Sequence, residues 1–215
     1  MKTLYSSTFL SLILAFLALL GRSGMPIVVV RDAPIPSFQN IIEPIGPTLP
    51  QDALGKVKVE VFNTFDCQAC DLFGQNTLPE LFKKYANSQE VDFHLYLIPD
   101  KTREAEISAV RGAHCATRYD RFWDMINILY RTDNLSQREV DLDGQELGFP
   151  VKEFRNCIGS ADFDAKIDED IAYAAERKIS QKPTILVNDT ILLGAQPIEN
   201  IERVIKNYEL LVTNY

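Results

Sequence analysis

The sequence predicts an α/β domain with a helical subdomain inserted into it, and three observations carry that reading. Val57-Lys58-Val59-Glu60-Val61-Phe62 alternates as a strand does, Leu72, Phe73, Leu78, Leu81, Phe82 and Tyr85 recur at helical spacing, and Val91 to Ile98 reads as another strand. Strand, helix and strand at this spacing make a βαβ unit. From about 102 to 160 the patterning is helical throughout, and a short hairpin and an amphipathic helix follow near the C-terminus.

Ahead of the domain, Lys2 precedes an apolar stretch from Phe9 to Leu20, broken only by Ser11 and followed by Gly21-Arg22-Ser23-Gly24. A positive start, a short apolar core and small residues describe a secretory signal, but no A-x-A cut site appears. The run from Leu4 to Leu20 is also marginally long enough to span a bilayer, so residues 1–23 read as a signal peptide or a retained membrane anchor. Either implies export. Residues 24–54 carry Pro26, Pro34, Pro36, Pro44, Pro47 and Pro50 and read as an extended linker, with Ile27 to Val30 able to add an edge strand.

The domain covers 55–215. In the first helix Pro79 predicts a kink. The insertion divides into Arg103–Tyr119, Arg121–Arg131, Ser136–Leu147 and Val151–Ile158, and a further helix covers Asp162–Lys178. Thr184–Asn188 and Ile191–Leu193 are short strands around Asn188-Asp189-Thr190, a hairpin signal. The last helix lines up Ile198, Ile201, Val204, Ile205 and Leu211.

Of the 215 residues, 46% are hydrophobic and 24% charged, as in ordinary globular proteins, and the net charge of −8 argues against nucleic acid or an anionic membrane surface as partner. All four cysteines lie behind the leader, where an oxidising compartment lets even numbers pair.

Cys67-Gln68-Ala69-Cys70 stands at the strand-to-helix junction, with the two thiols one helical turn apart. Unpaired N–H groups and the positive end of the helix dipole favour a thiolate at Cys67, which is the chemistry of a dithiol that makes and breaks disulfides. The other readings are a structural bridge or half a zinc site, and zinc would need two more ligands at short spacing that the chain lacks. His94, within a strand, and His114, beside Cys115, have no partner pattern for nucleophilic catalysis. Phe122, Trp123, Leu129 and Tyr130 read as core of the insertion, and Asn134-Leu135-Ser136 and Asn188-Asp189-Thr190 fit the glycosylation triplet.

In this order and spacing the chain resembles the DsbA-type branch of the thioredoxin superfamily, and within it the DsbA-like and BdbD-like exported thiol oxidoreductases. The residues that carry the resemblance are Phe62 and Phe65 ahead of Cys67-Gln68-Ala69-Cys70, Leu78-Pro79-Glu80-Leu81, Cys115-Ala116, Phe122-Trp123, Phe154-Arg155-Asn156-Cys157, Lys182-Pro183-Thr184 and Val187-Asn188. It runs from about Val57 to about Tyr208 and implies a thioredoxin-like fold with an inserted helical subdomain. It also implies that Cys67 is the exposed nucleophile, Cys70 the resolving cysteine, and Pro183 a cis-proline facing the CxxC where client segments pair. Cys115 and Cys157 fall where many relatives have a cysteine pair inside the helical insertion; an exported chain seldom leaves two free thiols, so they read as a structural disulfide, with two buried thiols or a second redox relay as the alternatives.

The chain departs from the family pattern in three places. Val61 stands where a buried acid is common, six residues before the nucleophile, and alternation turns the neighbouring Glu60 to the other face with Lys58. Gln68-Ala69 replaces the usual central dipeptide of strong oxidants. Lys182 precedes Pro183; if its ammonium reaches Cys67 it stabilises the thiolate, while Asp66 works the other way.

The expectation is therefore an extracytoplasmic protein thiol–disulfide oxidoreductase that oxidises client proteins with cysteine pairs. It needs no metal or organic cofactor, and a membrane redox partner reoxidises it. The rivals are a reductase or isomerase with the same residues, and a client-binding module without catalysis.

Overall fold

The computed structural model describes residues 41–42 and 56–213. The leader, its cut or anchor, and the suggested strand at Ile27–Val30 lie outside the described residues, as does the side chain of Leu211.

A five-stranded mixed sheet organises the domain, in the order β1-β5-β4-β2-β3. The strands are β1 (Ile41–Ile42), β2 (Val57–Asn63), β3 (Val91–Leu97), β4 (Thr184–Val187) and β5 (Thr190–Leu193). β2 runs parallel to β3, from Val57 opposite Val91 to Asn63 opposite Leu97, and antiparallel to β4, with Phe62 opposite Thr184. β1 comes from the stretch read as linker and pairs antiparallel with the outer edge of β5, Ile41 opposite Leu192. Between β4 and β5 the turn is two residues long, and Asn188 takes the left-handed conformation (φ 49) that such turns require. Its side-chain oxygen accepts the Lys58 N–H and its own N–H donates to the Lys58 carbonyl, both at 2.8 Å, so the hairpin tip is tied to β2.

Both faces of the sheet are covered. Val57, Val59 and Val61 point into the main core, which they share with Leu78, Leu81 and Tyr85 of α2 (Leu78–Tyr85) and Ile201, Val204, Ile205 and Tyr208 of α8 (Ile198–Thr213). Phe62 and Leu186 face the other way, against Ala174, Tyr173 and Ile179 on and just after α7 (Asp164–Glu176). Glu60 shares that second face, as alternation from Lys58 requires, and is nevertheless 1% exposed. Its carboxylate accepts from the Tyr173 hydroxyl (2.5 Å), Lys58 Nζ (2.9 Å) and Arg177 Nη2 (3.2 Å), so the buried charge is fully partnered.

The helix after β2 is one run in three pieces: α1 (Gln68–Leu72), a π-helical turn (Phe73–Thr77) and α2. The run changes to the π turn just before Pro79, where the sequence predicts a kink. Proline in the first turn of α2 has no N–H to offer the preceding turn, and the wider π turn stands immediately before it. The insertion consists of α3 (Glu104–Ala116), a 3-10 turn (Thr117–Tyr119), α4 (Phe122–Leu129), α5 (Gln137–Glu146) and α6 (Val151–Ile158). α3 lies at its centre, packed on α4, α5 and α6.

Candidate active site

β2 ends at Asn63, and Thr64, Phe65 and Asp66 lead to Cys67. Asp66 turns the chain through a left-handed conformation (φ 61), and Cys67, extended again (φ −140, ψ 133), is the residue that caps α1. The two sulfurs of Cys67 and Cys70 are bonded, with Cα atoms 5.1 Å apart. Cys67 Sγ also accepts the Cys70 N–H at 3.1 Å, so one of the free donors of the first helical turn is aimed at the sulfur where negative charge would develop on reduction. Cys67 is half-buried, Cys70 is 0% exposed, Gln68 is open to solvent and Ala69 half-buried. Attack from outside therefore meets the Cys67 sulfur.

Beneath the pair, Asn63 Nδ2 donates to the Tyr130 hydroxyl (2.8 Å) and reaches the Cys70 carbonyl (3.4 Å). The Tyr130 ring packs on Phe65, centroids 4.7 Å apart, and burial pushes its hydroxyl pKa up. It also lies against Gly74, where a Cβ would come within 2.4 Å of the ring carbons. Tyr130 thus belongs to the floor of the CxxC site as well as to the insertion core. Asn63 and this role of Tyr130 escape sequence reading, because only the fold brings the residue after α4 to the end of β2.

The Lys182–Pro183 peptide, just before β4, is cis. Because Thr184 pairs with Phe62 in antiparallel β4, Pro183 lies at the end of the sheet from which β2 leads to Cys67. Pro183 is buried and its carbonyl accepts the Gly194 N–H (2.8 Å). Lys182 Nζ donates to the Ile98 carbonyl just past β3 (2.9 Å), which gives its ammonium a main-chain anchor.

Around the pair the alternation of the strand holds. Val61 is buried in the main core, and Glu60 lies across the sheet from α1. Asp71, next to Cys70, is half-buried, and burial pushes its carboxyl up. The buried carboxyl that does approach the segment before Cys67 comes from α3: Glu106, 2% exposed, accepts the Thr64 hydroxyl at 2.6 Å. Arg103 bonds this same Glu106 (2.8 Å) and pairs with Asp66.

Far from this edge, Cys115 and Cys157 form a second disulfide between the last turns of α3 and α6, Cα atoms 6.0 Å apart. Beside it, His114 stacks on Phe163 (centroids 5.4 Å apart). Burial, with a smaller contribution from Lys166, holds its imidazole down at about 4. His94 stands next to Asp92 on β3, with Nε2 2.9 Å from the carboxylate. Neither histidine belongs to the CxxC site. Among the described residues no three His, Cys, Asp or Glu side chains gather to hold a metal ion.

A family described as Thioredoxin matches residues 52–207. A curated protein of Bacillus cereus, named "Probable disulfide bond formation protein D", is 25% identical over an alignment of 154 residues that covers 66% of this chain and 71% of its own length. Among solved structures, DsbA of Chlamydia trachomatis superposes with a TM-score of 0.64 at 17% identity, covering 79% of this chain and 97% of that one. Oxidised BdbD of Bacillus subtilis gives 0.61 at 18% identity, covering 74% and 89%. Both likenesses are of fold, and both include the inserted helices.

Proposed function

Since the chain belongs to the thioredoxin family, as a DsbA/BdbD-like thiol–disulfide oxidoreductase with a CxxC centre, we propose that it introduces disulfides into exported client proteins. The observation that carries this reading is the asymmetric pair: a half-exposed Cys67 whose sulfur accepts a helix-terminal N–H, bonded to a Cys70 shut off from solvent.

Exchange runs in two displacements. A client thiolate attacks Cys67 Sγ, the Cys67–Cys70 bond breaks, and Cys70 leaves as a thiolate that takes up a proton. A second client thiolate then attacks the client sulfur of the mixed disulfide, and Cys67 leaves as the thiolate stabilised at the helix start. Two electrons pass from the client to the enzyme, and the client gains the disulfide. Pro183, at the same end of the sheet, lines the surface on which the client segment lies, with Gln68, Ala69 and Lys182 around it. No metal or organic cofactor takes part, and reoxidation falls to a membrane redox partner.

The extracytoplasmic setting rests on the apolar segment within residues 1–23, as signal or tether. Oxidation as the direction is supported by that setting and by the name of the B. cereus protein. Equilibration of the full chain in glutathione buffers tests it. A potential near about −120 mV, where strong oxidants lie, supports oxidation, and one near about −270 mV makes the chain a reductase. Absence of any exchange would leave a client-binding module.

A further inference from the structure

Two charged side chains at the start of α3, Arg103 just before it and Glu106 in its first turn, close on the segment preceding Cys67. Asp66 sits in the left-handed region (φ 61), where a side chain with a Cβ needs support from its surroundings. Arg103 supplies it twice: its guanidinium pairs with the Asp66 carboxylate, and Nη1 reaches the Asp66 main-chain carbonyl (3.4 Å). Arg103 is itself held by Glu106 Oε1 (2.8 Å). The other oxygen of Glu106 accepts the Thr64 hydroxyl (2.6 Å) and the Asp100 N–H (3.0 Å). A 2%-exposed carboxyl therefore binds both ends of the three-residue segment from Thr64 to Asp66, directly through Thr64 and through Arg103 at Asp66.

We propose that Arg103, anchored by Glu106, is a positioning residue that offsets the Asp66 charge and so tunes the charge next to Cys67. The inference rests on Cys67 being the exchanging cysteine. An unpaired Asp66 would place an anion one residue from the thiolate, raising the Cys67 pKa and making the disulfide a weaker oxidant. The guanidinium, shared between Asp66 and Glu106, offsets part of that anion, and the bonds to Glu106 stop it from swinging into solvent. Arg103 and Asp66 side chains are 45% and 43% exposed, so solvent screens the pair and the effect is moderate and salt-sensitive.

The test measures the potential in glutathione buffers and the pH profile of Cys67 alkylation on the full chain. Arg103→Met should raise the Cys67 pKa and weaken the oxidant about threefold, about 14 mV on the two-electron scale. Asp66→Asn should shift both by a similar factor the other way. The double variant should return close to wild type, and Arg103→Lys should stay near it. A merely structural Arg103 predicts a double variant at least as disturbed as Arg103→Met, and that result overturns the proposal. So does an Arg103→Met protein with wild-type potential and alkylation profile. If the wild type itself fails to exchange with glutathione, the functional reading falls first and this inference falls with it.

Discussion

The two disulfides are the same bond in opposite surroundings. Cys67–Cys70 opens a helix, next to free N–H donors, with one sulfur half-exposed and a sequence separation of only three. Cys115–Cys157 joins the last turns of α3 and α6, where the dipoles present their negative ends, and its cysteines are 0% and 4% exposed. A thiolate is favoured at the first place and disfavoured at the second. On the proposed function, placement along a helix, more than the bond itself, would separate a reagent from a clamp.

The sharpest way to break this contrast is to delete one bridge at a time. Cys67→Ala should abolish exchange with glutathione and with a reduced client while leaving the urea midpoint close to wild type. Replacing both Cys115 and Cys157 by Ala should do the reverse: exchange persists in the folded protein, but stability falls by about 4 kcal/mol in a chain-entropy account of a 42-residue separation. Loss of exchange in a folded double variant would make the second bridge a redox partner of the first.

A smaller effect probes the surroundings of the clamp. His114, ordinarily titrating near 6.5, is held at about 4 by burial. The depressed value means that the unfolded chain binds the extra proton first. The stabilising contribution of neutral His114 is therefore whole above about pH 6.5 and is lost as the pH falls towards 4, by about 2–3 kcal/mol. Urea denaturation at pH 7 and pH 4.5 checks this, because His114→Leu should lose less stability on acidification than wild type. The smallest effect is at Lys182. With its ammonium anchored on the Ile98 carbonyl, Lys182→Thr should raise the Cys67 pKa by less than Arg103→Met does, as read by alkylation rate against pH.

Much of the fold was legible because local signals agreed. β2, β3, the hairpin and the insertion helices fall within a few residues of their periodicity, and Val151–Ile158 matches at both ends. The CxxC was legible for the same reason: both thiols and the helix that activates them are contiguous. What escaped are contacts between distant segments, such as Asn63 to Tyr130 and Thr64 to Glu106. One clue was present. Glu106 falls in register with Ala109, Val110 and Ala113 on the buried stripe of α3, and a carboxyl at a core position asks for partners. Ile41–Ile42 was hidden by the prolines around it, since a two-residue edge strand is specified by the open edge of β5 rather than by any pattern of its own.

Gly74 and Tyr130 stand 56 positions apart in the numbering and share one volume, since a methyl group on Gly74 would overlap the ring. Neither position can therefore explore sequence space alone. In a library randomised at both, folded survivors should keep glycine opposite an aromatic ring or combine a larger residue at 74 with a smaller one at 130. Any replacement of Tyr130 also withdraws the hydroxyl that receives Asn63, so the floor of the redox site has to be rebuilt with it. The freedom to redesign the helix after the cysteines is set by a residue that belongs to a different part of the fold.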